Sequence, residues 1–524
     1  MSKQPSMVRT RVGIIGVLLA GLLVVPPGQV SAQHGTPFDL AEEAAGLPTA
    51  AGDPVDAPGH LARIMDLSPA PEFRRFGTGG MAAVAEMSAE VLGDAGYSVV
   101  RPETSHEQWK VSYAATEAPL LRRSDDTEFV VESAFGRRAA DGSLPDLSTD
   151  ADGVTCTVVP AADVEGSGHC GFVPFDAADP EWNNFTANAR ALIDQIAGAG
   201  GSGVVVQGDA SRDMVFAQQV RTAIPTVVAA VEADEVLGHE VLLRTRGTWV
   251  PDATVRNVVG VLPEPSPGAG YVAVTAHADA WFQGAVDNGA GHAAALDAAE
   301  ALARLHASGE LDVGVVVALF DAEEVGLIGS GHVAELLNRP EGLVVPITPG
   351  STIGVHMSDL LGVVNLDAPS AKPSDVHGHE AESPIASHGV PVFSWRALIF
   401  SDPHPADHPE PYASAGAFGA EFVATFGSHG VFGLPVPSSG WNEFSGGWRT
   451  DAQHFHEAGV PVVWPVAGYP EYHTNLDVYD PTGERYSTVD PTDLQAVADA
   501  AVDWVDTVRS GRLRPSARLS GDDG

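Results

Sequence analysis

The stretch "VGVVVALFDAEEVGLIGSG", residues 313–331, joins an apolar run to two adjacent glutamates. Val313 to Phe320 is rich in β-branched residues, and a continuous run of that kind reads as a strand buried in a parallel sheet. Glu323 and Glu324 stand just beyond its end. Burying carboxylates there costs several kcal/mol unless something positive compensates. The pair therefore asks for a cation and for further groups to hold it.

Outward from this stretch, apolar runs alternate with helical spacing. "RNVVGVLPEPSPGAGYVAVTAH" (256–277) precedes a helix from Gly291 to His306, and the strand 313–320 is followed by the strands "GVVNLD" (362–367) and "VPVVWPVAG" (460–468). A last helix lies in "DLQAVADAAVDWVDTVRSG" (493–511). This order predicts an α/β fold, a mostly parallel mixed sheet flanked by helices. Ligands of such sheets bind beyond the carboxyl ends of the strands. Those ends carry chemistry here: His277 and Asp279 follow "YVAVTA", Glu323 and Glu324 follow "VVVALF", Asp367 follows "GVVNL", and His473 comes soon after "VPVVWPVAG". Asp287 sits in a Gly-rich turn just past the first of these strands.

Five segments thus deliver His, Asp or Glu to one edge of one sheet, which helix capping alone does not produce. Imidazole and carboxylate are the donors zinc accepts at about 2.0–2.2 Å. Two zincs about 3.5–4 Å apart need a bridging carboxylate and activate one water between them. One glutamate of the pair then binds metal, and the other, unligated, takes the proton of that water.

The motifs "HAD" (277–279), "VDNGAG" (286–291), "AEEVGLIGS" (322–330), "NLD" (365–367) and "YHTNLD" (472–477) resemble, in order, those of the co-catalytic zinc exopeptidases. That family includes secreted bacterial leucyl aminopeptidases, glutamate carboxypeptidase and the transferrin receptor. The resemblance implies two Zn2+ ions. It makes Asp287 the bridging ligand, His277 and Asp367 the other ligands of one zinc, and Glu324 and His473 those of the second. It makes Glu323 the general base, Asp279 the carboxylate that orients a histidine, and Tyr472 a stabiliser of the tetrahedral intermediate, for which simple packing is an equal alternative. The segment "ANARALIDQIAGAGGSGVVVQ" (187–207) with "IPTVV" (224–228) resembles a β-rich protease-associated domain inserted into the peptidase.

The expected domains are a signal peptide (1–32), the N-terminal part of the peptidase (33–115), a protease-associated-like insertion (116–250), the catalytic domain (251–512) and a disordered tail (513–524). Lys3, Arg9 and Arg11 precede the apolar "VGIIGVLLAGLLVV" (12–25), and "VSA" (30–32) supplies small residues for cleavage, so a secreted, extracellular protein is expected. An uncleaved anchor is the alternative. In that setting Cys156 and Cys170, the only cysteines, read as a local disulfide. With 28 Lys+Arg against 69 Asp+Glu, a net charge of -41, the surface repels nucleic acid and anionic lipid. Peptide substrates are the expected partners, with no stable membrane association once the signal is removed.

Plainer readings apply elsewhere. His292 reads as packing or surface, the histidines at 377, 379, 388, 404 and 408 as solvated loop residues, and the stretch 369–440 as long surface loops with some helix. "NFT" (184–186) is a glycosylation acceptor pattern. The function expected first is a secreted zinc aminopeptidase. A carboxypeptidase of the glutamate carboxypeptidase type would need an arginine for the terminal carboxylate, and the site segments offer only Arg449. A catalytically silent, receptor-like binding protein would not need the whole ligand set. A one-zinc glutaminyl cyclase is disfavoured by the insertion and the full ligand set.

Overall fold

Valine and alanine fill the apolar runs, and in the computed structural model these runs form one eight-stranded sheet. Its strands are β1 (Ser98–Val100), β2 (Val258–Leu262), β3 (Tyr271–His277), β4 (Gly314–Phe320), β5 (Leu360–Asn365), β6 (Trp395–Phe400), β7 (Leu434–Pro437) and β8 (Val462–Gly468). The structure describes residues 55–174, 187–372, 395–401, 415–440, 448–469 and 471–509. The signal, the "NFT" pattern, the five loop histidines and the tail lie outside them.

In space the strands run β1-β2-β4-β3-β5-β8-β6-β7. The central four, β4, β3, β5 and β8, are mutually parallel, so their carboxyl ends open on one edge. On one side β2 runs antiparallel to both β4 and the edge strand β1, and on the other β6 runs antiparallel to β8. Every residue of β3 and β4 is buried, as strands covered on both faces have to be. The helix Gly291–Ser308 packs on β3 and against the helices Ala57–Leu67 and Pro491–Arg509. Its buried face is mostly alanine, which lets backbones approach closely. His292 belongs to that face: its Nε2 lies 2.7 Å from Ser88 Oγ, and burial first, then Arg74, push its pKa down to about 3. It is a neutral packing residue.

A second, seven-stranded sheet is built from residues 120–244. Val158, Val205, Val227 and Leu243 fill its interior. Cys156 and Cys170 form a disulfide across its neighbouring parallel strands Val154–Pro160 and His169–Val173, with a Cα–Cα distance of 5.6 Å. The chain reaches this sheet along Glu103–Val111 and returns along Gly247–Arg256, and these two arms pair antiparallel as a ribbon of their own.

The stretch 369–440, expected as long surface loops with some helix, departs from that expectation in its strands and not in its helix. Its described parts supply β6 and β7 to the main sheet and the helix Ala415–Ser428. Phe418, Phe422 and Phe426 recur every four residues there and are buried. Phe418 and Phe422 meet Trp504 edge to face at 5.3 and 5.5 Å. The prolines that disguise β7, "LPVP", are tolerated because β7 is the edge strand, where a missing N–H breaks little of the ladder.

Phe422→Ala should therefore cost about 3–5 kcal/mol of unfolding free energy, in the range for emptying an aromatic core site. Phe432→Ala, at a side chain 73% exposed, should stay within about 0.5 kcal/mol. Denaturant titration of both variants checks this, and an unshifted midpoint for Phe422→Ala would remove the helix from the core.

Candidate metal centre

The edge formed by the four parallel strands collects the acidic and imidazole groups. His277 ends β3, Asp367 lies two residues past β5, and Glu323 and Glu324 follow β4. Asp287 comes from the turn Ala285–Ala290, and His473 from the loop after β8. Five of these residues form two groups whose donor atoms lie within 4.8 Å of one another: His277, Asp287 and Asp367 in the first, Asp287, Glu324 and His473 in the second. Asp287 belongs to both. Its Oδ1 is 3.1 Å from His277 Nε2 and its Oδ2 is 3.0 Å from His473 Nε2. Glu324 Oε2 completes the second group at 3.0 Å from His473 Nε2, and Asp367 Oδ1 the first at 3.3 Å from His277 Nε2. Glu323 joins neither group, and among the described residues its carboxyl has no hydrogen-bond partner.

The supporting contacts explain why these atoms converge. Asp279 accepts the backbone N–H of Glu323 at 3.1 Å and of Glu324 at 3.3 Å on its two carboxylate oxygens, so it fixes the turn that presents both. Toward His277 it offers its backbone carbonyl, 3.1 Å from Nδ1, with the carboxylate at 3.6 Å. The histidine is thus oriented mainly by the carbonyl, and Nε2 is left for the cluster. Tyr472 stacks on His473 with ring centroids 3.8 Å apart. Burial first, then Asp287 and Glu324, keep its hydroxyl protonated by raising its pKa well above the ordinary value. Arg449 is exposed.

Several positioning residues were not singled out by sequence reasoning. Asp477 accepts the N–H of Val286 at 2.9 Å and of Asp287 at 3.1 Å, and its carboxylate also receives Tyr469 and Thr488 hydroxyls at 2.7 Å each. Asn288 accepts from the N–H of Gly291 and Ala368 and donates to Leu366 O, tying the turn to the segment after β5. Thr450 donates to Asp367 Oδ2 at 2.5 Å and itself accepts from Asn365 Nδ2. Arg74, fully buried, donates to the carbonyls of Ala278, Gln283 and Gly284. Next to it Arg75 donates to Trp281 O and pairs with Glu132 at 3.0 Å. The one available signal was "FRRFG" (73–77), two arginines between phenylalanines in a chain poor in cations.

The electrostatics show what the donor set wants. Burial pushes the Glu324 carboxyl up to about 7 although His473 opposes it, and pushes Glu323 well above its usual range. Asp451, buried beside them, is likewise raised to about 7, chiefly by desolvation. Burial alone would lower both histidines. Instead Glu324 and Asp287 lift His473 to about 10, and Asp367, Asp279 and Asp287 hold His277 well above 6.5. Protons on imidazole thus supply the positive charge that the carboxylates demand. Two His and three carboxylates around one shared oxygen pair are a donor set for paired divalent cations, zinc in particular.

Three comparisons bear on this geometry. Residues 257–381 match the model of peptidase family M28. A protein named probable glutamate carboxypeptidase, from Zea mays, is 28% identical over 243 residues, which are 43% of this chain and 27% of that protein. The chain thus spans about a quarter of that relative's length. Among solved structures, the zinc aminopeptidase of Bacillus subtilis superposes with a TM-score of 0.54 at 17% identity, over 87% of this chain and 95% of the other. A peptidase M28 precursor from Shewanella amazonensis superposes with a TM-score of 0.57 at 15% identity, over 88% and 94%. At these identities the two structures speak to the fold, a mixed α/β zinc exopeptidase fold.

A pH dependence follows. His473 binds its proton more tightly folded than unfolded, so in metal-free protein it stabilises fully below pH 6.5 and loses that effect as pH rises toward 10. Glu324, raised from 4.5 to about 7, also makes the metal-free fold weaken as pH rises through that window. Zinc added to metal-free protein at pH 7 should release protons from both imidazoles, and its effect on melting temperature should be larger at pH 8 than at pH 6. A weakly buffered titration with a pH indicator, run beside thermal melts, reads both; binding without proton release would contradict the assignment.

Proposed function

We propose that this chain, which carries a peptidase family M28 domain, is an exported zinc-dependent exopeptidase that removes residues from the N-terminus of peptides. The observation that carries the reading is Asp287, one carboxylate shared by two donor groups, with Glu323 beside them and bonded to neither. In this reading His277, Asp287 and Asp367 hold one zinc, and Asp287, Glu324 and His473 hold the second. Bound there, the two ions would polarise the scissile carbonyl and make a water acidic.

The chain's own residues do the rest. Glu323 takes the proton of the attacking water and hands it to the leaving amine, the task of an unligated carboxylate within reach of the substrate. Asp279 keeps Glu323 and Glu324 in register through their N–H groups. Tyr472 keeps its hydroxyl proton and can donate it to the oxygen that gains charge in the transition state. A free α-ammonium suits the carboxylate-rich centre, whereas the exposed Arg449 gives a terminal carboxylate little to bind. Residues 116–250 fit the reading as a protease-associated-like insertion, and the first 32 residues as its export signal; N-terminal sequencing of protein from culture medium, with Gln33 first, tests the export.

Glu323→Gln should keep its zinc and lose turnover by several orders of magnitude, whereas Glu324→Ala should lose one metal equivalent. Metal analysis and kcat measured together distinguish these, and the opposite pattern would reverse the two glutamates. Offered one peptide free at both ends, one N-acetylated and one C-amidated, the protein should cleave the first and third. Cleavage of the acetylated peptide alone would make it a carboxypeptidase.

A further inference from the structure

The two donor groups are held from different parts of the chain. His277, Asp287 and Asp367 are placed by Asp279, Asp477 and Thr450, none of which belongs to residues 120–244. The second group is gripped from within that span. Gln219 Nε2 donates to the backbone carbonyl of Glu324 at 3.1 Å, and the N–H of Ala217 donates to the carbonyl of His473 at 3.0 Å. Glu324 and His473 are the donors that set the second group apart from the first.

The grip on His473 extends along its loop. Residues 212–219 lie between the strands Gly203–Gln207 and Thr226–Ala229 of the second sheet, and they meet 471–475 through an antiparallel bridge between Phe216 and Thr474. The N–H of Asn475 donates to Val215 O at 3.1 Å. The Asn475 side chain accepts from the N–H of Val215 at 2.8 Å and donates to Asp213 O at 3.0 Å. Arg212 also pairs with Glu471, the two side chains only 9% and 7% exposed. A buried pair of this kind is costly to break, so it pins the two segments together. The loop needs such support. His473 has φ +57°, in the left-handed region, which a non-glycine residue keeps only where its surroundings impose it.

We propose that residues 212–219 of the second sheet are a clamp that builds the second metal half-site, with Gln219 and Arg212 as its positioning residues. The proposal rests on the paired-zinc reading. By holding the carbonyls of Glu324 and His473, the clamp fixes the backbone from which Glu324 Oε2 and His473 Nε2 reach the metal. Partners that orient a ligand govern metal affinity nearly as the ligands do. The first half-site takes its supports from Asp279, Asp477 and Thr450 and fills without the clamp. The two ions are thus bound by unequal means, and the second sheet controls only one of them.

Gln219 also lines a cavity of about 310 Å³ beside the centre, so the measurement to make is metal affinity with no substrate present. Competition for Zn2+ against a chromogenic chelator separates the two binding steps in metal-free protein, with circular dichroism and thermal melts on each variant. Gln219→Met keeps the side chain's bulk and removes its donor. It should weaken the second step about tenfold, the low end for partners that orient a metal ligand, and leave the first within about twofold. Arg212→Ala should weaken the same step, and Arg212→Lys should restore part of it. Introduced into Glu324→Ala protein, which keeps one site, Gln219→Met should leave the affinity of that site unchanged. If Arg212→Ala does not fold, Gln219→Met decides alone. Two unchanged steps, or both steps weakened alike, overturn the clamp while the paired centre stands. Fewer than two ions in the unaltered protein would instead defeat the paired-zinc reading, and the clamp with it.

Discussion

The arrangement at the sheet edge depends on one hydrogen-bonded carboxylate that never enters the cluster. Asp477 receives the N–H groups of Val286 and Asp287, and through them sets where the Asp287 side chain stands between two histidines. Without that anchor, a turn carrying a buried negative charge would swing toward solvent, since an unpaired charge is far cheaper in water. Asp477 is itself satisfied by two hydroxyls, so the support is closed on all sides. The shared carboxylate is what joins two groups of three donors into one cluster.

The parallel strands contribute the other half. Four of them end at one edge, and each needs only a few residues of loop to deliver a donor. The cost of placing so many carboxylates there is visible in their raised proton affinities and in imidazoles that stay charged. A site of this kind is poorly satisfied by protons, which neutralise one group at a time, and better by divalent charge shared among several groups. That is the physical sense of the donor set, whatever substrate is brought to it.

Much of this was legible in the sequence because strand ends and donors coincide. Val313–Phe320 followed by Glu323 and Glu324 is a local pattern, and so is "YVAVTA" before His277. The residues that aim the donors were hidden because their partners are remote: Asp477 acts on a turn about 190 residues away, and Thr450 on Asp367 83 residues away. The division of labour within the Glu323–Glu324 pair came from resemblance, and the structure separates the two side chains by which one meets His473. In the stretch 369–440 some helix was expected and is present, but its two strands were hidden because prolines and glycines suggested loops. Phe418, Phe422 and Phe426 keep helical spacing there, and their partner, Trp504, lies in the last helix.

Arg74 holds the loop between His277 and Asp287 through carbonyl oxygens rather than through carboxylates. Burial lowers its pKa only to about 10, with Asp477 and Asp287 resisting, so it keeps its charge throughout the neutral range. Carbonyls do not titrate and do not bind zinc in competition with imidazole. The loop's grip therefore runs through acceptors that do not themselves take up protons or metal. Such a mould keeps its shape when emptied, so ions can be exchanged, or one replaced by another, while the surrounding chain stands still.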